Sequence, residues 1–181
     1  MRRSAYFCAM FAALLIPSLT AARSSGPFQP PQEKKEYLSD IEADKIRDAP
    51  TPSERIKLFV TFAEDRLKKF QYELNRKTPE RKRAEILNSM LNAYVGCVDD
   101  AADQIDLARE KQADIRLAIK LMKSKAQEFL DVLERLDQGG PEYDLYKDTL
   151  EDAIEGTKDA ITDIDQAEKE MAPPPVRRKP T

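Results

Sequence analysis

Four successive stretches of the chain carry apolar residues at alternating steps of four and three, and no other feature limits its folding as much. The first stretch runs Ile56, Val60, Ala63, Leu67, Phe70 and Leu74; the second runs Leu87, Leu91, Tyr94, Val98, Ala101, Ile105 and Ala108. The third runs Ile115, Ile119, Met122, Ala126, Phe129, Leu133 and Leu136; the fourth runs Tyr146, Leu150, Ala153, Thr157, Ala160, Ile164, Ala167 and Met171. Such steps return to one side of an α-helix, so each stretch predicts a helix with a single apolar seam. Sustained period-two alternation is absent, which predicts no sheet. Four seams of similar length can bury one another. The expected fold is all-α: an up-and-down antiparallel four-helix bundle with heptad-like seams, plus a short N-terminal helix.

The breakers fall between these stretches. All 12 prolines lie in the N-terminal segment, in the tails or at predicted helix starts and joints. Ser39 to Glu42 reads S-D-I-E, a capping box in which each side chain satisfies the other residue's orphan backbone donor. It predicts a short helix to about Ala49, stopped by Pro50. Thr51 to Glu54 reads T-P-S-E: an N-cap, a proline at the first helical position and a second box. Thr78-Pro79 repeats the cap-plus-proline start. Gly139-Gly140-Pro141 ends one predicted helix and opens the last.

One joint stays open. Between Gly96 and Gly139 there is neither Gly nor Pro, and the heptad register runs on through Gln112. Residues 79–137 could form one helix of about 88 Å at 1.5 Å per residue. The alternative is a tight turn near Glu110 to Asp114, with Asp114 as N-cap, and four similar helices favour it. Leu91, Asp100, Ala101, Ile105, Asp106 and Ala108 echo Leu150, Asp159, Ala160, Ile164, Asp165 and Ala167 at an offset of 59. The echo would make the bundle two copies of a helical hairpin; shared heptad composition is the plainer explanation.

The N-terminus reads as an address. Arg2 and Arg3 precede an uncharged, largely apolar run from Ala5 to Ile16, then Pro17, with Thr20 and Ala22 at −3 and −1 of a cleavage point. Residues 1–22 are thus expected to be a signal peptide cleaved after Ala22, with Ala21 as an alternative. The run is too short to span a bilayer, which takes about 20 residues. Residues 23–36 read as a flexible lead-in, 37–171 as the helical domain and 172–181 as a disordered, Pro-rich basic tail. The expected location is periplasmic or extracellular, with no transmembrane segment. Cleavage would leave Cys97 as the one thiol, so no internal disulfide is expected. Cys97 reads as a small buried hydrophobe, because Asp99, Asp100 and Asp103 are the wrong company for a reactive thiolate.

Charge and composition narrow the function classes. Lys plus Arg number 30 against 33 Asp plus Glu, for a net charge of -3. That excludes a generic basic nucleic-acid binder. The chain has no His, which removes His-based triads, His-ligated haem and the Glu-x-x-His di-iron pattern. No P-loop, nucleophile elbow or EF-hand pattern occurs. A non-enzyme without a cofactor is expected.

Three features remain as candidate sites. Asp99 with Asp103, and Asp159 with Asp163, are one-turn acidic pairs that together could hold a hard cation; a solvated acidic face is the alternative. Arg76, Lys77, Arg81, Lys82 and Arg83 crowd one expected tip and could meet an anionic envelope surface or an acidic partner. Leu58, Phe59 and Phe62 widen the first seam, with Leu38, Ile41 and Ile46 of the short helix as their expected cover. Leu117 and Leu121 widen the fourth helix, and burial is expected for them too; the alternative is a groove for a partner helix. Gly96 and Gly156 sit inside predicted helices, where Gly costs about 1 kcal/mol against Ala. The reading is an exported helical module that binds a protein partner or itself through helical faces.

Overall fold

A computed structural model of the chain describes residues 36–77, 81–140 and 142–171. They belong to one unit spanning Lys34–Thr181. The expected signal peptide with its cleavage at Ala22, most of the lead-in, the tail, Thr78-Pro79 and Pro141 lie outside the described residues. The elements are α1 (Asp40–Asp48), α2 (Pro52–Leu74), α3 (Arg83–Glu110), α4 (Arg116–Asp137), a single 3-10 turn (Tyr143–Leu145) and α5 (Lys147–Glu170). No strand occurs among the described residues.

The helix starts follow local chemistry. Ser39 caps α1 in a complete box: its hydroxyl accepts from Glu42 N at 3.3 Å, and the Glu42 carboxylate accepts from Ser39 N at 2.9 Å. Thr51 caps α2 by accepting from Glu54 N at 3.2 Å, with Pro52 in the first turn. Here the box is half made, since among the described residues Glu54 returns no bond to Thr51.

The open joint is a break, so residues 79–137 are not one helix. Gln112 adopts the left-handed region at φ 53°. Its N–H donates to Arg109 O and the N–H of Ala113 to Ala108 O, both at 2.9 Å. That pair of bonds is a Schellman motif, usually built on glycine. Asp114 then accepts from Arg116 N at 3.3 Å, although the helical residues begin only at Arg116.

Two other starts differ from expectation. The described part of α3 opens at Arg83, without a side-chain cap, rather than at Thr78-Pro79. The last helix opens at Lys147 rather than at Pro141. Gly139 and Glu142, at φ 88° and 63°, turn the chain first. The 3-10 turn is then tied down: Tyr143 Oη donates to Asp137 at 2.7 Å, and Asn88 Nδ2 donates to Leu145 O at 2.8 Å.

The four seams are the core. Every seam residue is buried except Leu74, Leu136 and Met171, which are partly buried against it. Helix pairing is most extensive between α2 and α3, then equally so for α3 with α5 and α4 with α5, and least for α2 with α4. Contacts between the hairpins climb in step. Ser53 meets Asp114, Asn88 meets Thr149 and Tyr94 meets Thr157, at separations of 61, 61 and 63 residues. Those separations resemble the offset of the sequence echo, and they lay two hairpins side by side. Edge-on aromatic pairs join the other combinations: Phe70 of α2 with Tyr146 at 5.2 Å, and Tyr94 of α3 with Phe129 of α4 at 5.8 Å. Rings at this geometry are attracted beyond their area burial.

Candidate functional site

The outer face of α4 is built by clamping the helix on both flanks. Lys123 Nζ lies 2.7 Å from Asp165 and 2.8 Å from Glu168 of α5. Their hydrogen bonds hold the Lys123 ammonium above its ordinary range. On the opposite flank Lys125 Nζ lies 3.8 Å from Glu64 of α2 and 2.8 Å from Glu128. Ile119, Met122, Ala126, Phe129 and Leu133 point into the core. With three sides committed, the helical period turns Leu117 and Leu121 outward. They are 79% and 36% exposed. This corrects the expectation that both are buried: among the described residues no element covers this face, because α1 lies elsewhere. Leu107, near the end of α3 that leads into α4, is exposed as well.

The short helix covers the widened first seam only in part. Phe59 and Phe62 are buried and Leu58 partly so, while Leu38 and Ile46 pack over the core. Ile41, the third expected cover residue, is 69% exposed. Its position is turned outward because the opposite side of α1 carries Glu42 to Arg66.

The acidic pairs do not converge. Asp99 and Asp103 on α3, and Asp159 and Asp163 on α5, are all exposed. The seams send Val98, Ala101, Ala160 and Ile164 inward, and that leaves the aspartates outside. Among the described residues no three acid or cysteine side chains are grouped to hold a metal ion.

The basic tip is smaller than its sequence suggests. Arg83 is buried rather than displayed. Its Nη2 donates to Leu74 O at 2.7 Å, and its Nε lies 2.5 Å from Glu142. Arg83 thus satisfies a carbonyl at the end of α2, where helices leave acceptors unpaired. Arg76 pairs with Glu73 at 3.4 Å and Lys82 with Glu85 at 2.9 Å. Lys77 and Arg81 are exposed.

Cys97 is buried among Val60, Ala63, Val98, Ala101, Met122, Ala126 and Phe129, around an apolar cavity of about 10 Å³. A site that small and apolar holds no ordered ligand.

Sequence reasoning missed a polar cluster where α1 meets α2 and α3. Arg66 is buried, and its Nη2 donates to Glu42 at 2.6 Å and to Tyr37 O at 3.3 Å, while Nη1 donates to Asp65 at 2.8 Å. Tyr37 Oη donates to the buried Asp100. Burial pushes the Glu42 carboxyl up, but the bonds from Arg66 and Ser39 and the Arg66 charge outweigh it and lower it to about 2. The one available hint was an arginine on the edge of the first apolar seam.

No helix among the described residues is long and apolar enough to cross a membrane. No family model, no curated protein and no solved structure matches the chain.

Proposed function

We propose that the chain is an exported, non-enzymatic binding or scaffolding module, working in the periplasm or outside the cell through its helical faces. Its four long helices form two antiparallel hairpins laid side by side, α3 beside α5 and α2 beside α4, and this bundle serves as the rigid platform. The exposure of Leu117 and Leu121 on the clamped outer face of α4 carries the reading. Fully burying an exposed leucine is worth about 1.5 to 3 kcal/mol; a helical partner laid along this face collects most of that from Leu117 and a smaller share from Leu121, already partly covered. A partner helix with apolar residues at three- and four-residue spacing fits such a stripe. Lys123 and Lys125 are engaged on the flanks, so the leucines are the part of this face left to a partner.

The test places a photo-crosslinking residue at position 117 or 121 of the full chain, expressed in its source cell. A discrete adduct from these positions, absent from Glu128 further along the helix, is the expected result. Aspartate at the other leucine position should abolish it. Absence of an adduct from either position, together with a purely monomeric mass by light scattering, overturns the proposal.

A further inference from the structure

Tyr37 sits on α3 where the helix has no side chain. A Cβ built on Gly96 would lie 2.8 Å from ring carbons Cδ1 and Cε1 of Tyr37, closer than carbon atoms approach one another. The hydroxyl end of the ring reaches Asp100, one turn further along α3. Arg66, on α2, holds both the Tyr37 carbonyl and the Glu42 carboxylate. Gly96, Asp100 and Arg66 therefore form a seat shaped for one tyrosine and one carboxylate, five residues apart.

Beyond the seat, the segment is anchored by Leu38, buried in the core, and by Ile46, partly buried against it. No residue within α1 is buried. Nine helical residues fall short of the roughly 12 to 15 that an isolated helix needs even to be marginal. Glu42 supplies what is missing. Its Oε2 accepts from Ser39 N and Oγ, both at 2.9 Å, and from Arg66 Nη2 at 2.6 Å. One carboxylate oxygen thus caps the helix and docks it. Losing that oxygen removes both, so capping and docking are coupled.

We propose that residues 37–48 are a latch that leaves and re-enters this seat as a unit, and that the seat also accepts the same segment from a second copy of the chain. The hinge supports exchange between copies. Ala49 and Thr51 are extended, at ψ 115° and 150°, and flank Pro50. Short, stiff hinges of this kind favour swapping of a terminal element. Each contact between latch and seat can form between copies without alteration. This proposal stands apart from the α4 face, which lies on a different helix.

Two experiments on the full chain test it. Hydrogen exchange compares wild type with Glu42→Ala, since a glutamine would keep an oxygen able to accept both bonds. Fast exchange of the amides of 40–48, with α2–α5 still protected, is the expected result. The second experiment uses Tyr37→Ala, which empties the seat, and a fluorescein-labelled peptide of residues 36–49. The peptide should bind this variant saturably. It should bind wild type at least about tenfold more weakly, because the tethered latch competes at millimolar effective concentration. Adding Gly96→Ala to Tyr37→Ala should abolish binding by filling the seat. Absence of binding to Tyr37→Ala, or binding indifferent to Gly96→Ala, overturns docking from a second copy. Loss of protection throughout α2–α5 in Glu42→Ala or Tyr37→Ala makes the segment part of the core and overturns the latch.

Discussion

Gly96 and Gly156 have the same local sequence meaning and opposite tertiary roles. Each sits inside a helix, where alanine is favoured by about 1 kcal/mol. A Cβ at Gly156 meets only Val95 Cγ1, at 3.9 Å, an ordinary contact. Gly156→Ala should therefore raise the urea unfolding free energy by about 1 kcal/mol. Gly96→Ala should lower it, because overpacking against Tyr37 costs about 1 to 3 kcal/mol. In the Tyr37→Ala background the sign should reverse, and Gly96→Ala should stabilise. A Gly96→Ala effect that ignores residue 37 would mean that the ring is not seated there. Gln112 presents the third such position. A side chain in the left-handed region costs about 1 to 2 kcal/mol, partly offset by the chain entropy of glycine. Gln112→Gly should thus stabilise by about 0.5 to 1 kcal/mol, read from the same unfolding curves.

At the scale of the element, α1 responds to acid before the long helices need to. The folded-state carboxyl of Glu42 titrates near 2, below its ordinary 4.5. A depressed carboxyl contributes stability that is fully present above its unfolded value and lost as pH falls through the folded one. Protection of the α1 amides should therefore hold above about pH 4.5 and decline between there and about pH 2. Glu42→Ala should show weak protection at every pH, while Glu42→Gln should lose the pH dependence. A wild-type α1 that keeps its protection at pH 2 would contradict this assignment. Starts with side-chain caps were legible in sequence, as at Ser39 and Thr51. The start of α5 was not, because Asn88 and Arg83 of another helix hold the turn before it.

Across the whole molecule, the joining of the two hairpins includes few polar bonds, and one is deeply buried. Thr157 Oγ1 donates to Ala153 O at 2.6 Å, so Tyr94 Oη must be the donor in its 2.7 Å bond to Thr157. Burial pushes the Tyr94 phenol well above its usual range, which keeps it a donor at any physiological pH. Tyr94→Phe should cost about 1 kcal/mol. Thr157→Val alone should cost more, since it leaves the Tyr94 hydroxyl buried without an acceptor. The double variant should recover part of that loss. Additive effects in a double-mutant cycle would mean that the bond contributes nothing to hairpin joining.

The sequence by itself determined what is repetitive and local. Seam spacing reports the buried side of a helix because the helical period is intrinsic to the backbone, and the core residues follow directly from it. S-D-I-E and T-P-S-E mark starts because a cap bonds within three residues of itself. Tertiary structure alone decided where surplus apolar residues went. Phe59 and Phe62 are buried while Leu117 and Leu121 are exposed, although all four merely widen a seam in sequence. The difference lies in where α1 lies, and that depends on Arg66, Gly96 and Asp100, from 24 to 63 residues away from their partners. The break falls inside the turn expected between Glu110 and Asp114; only its left-handed residue, Gln112, was illegible, because a non-glycine held there by neighbouring hydrogen bonds leaves no compositional mark. Arg83 escaped for the converse reason. Its charge advertised a surface, and unpaired carbonyls at the end of α2 drew it inside.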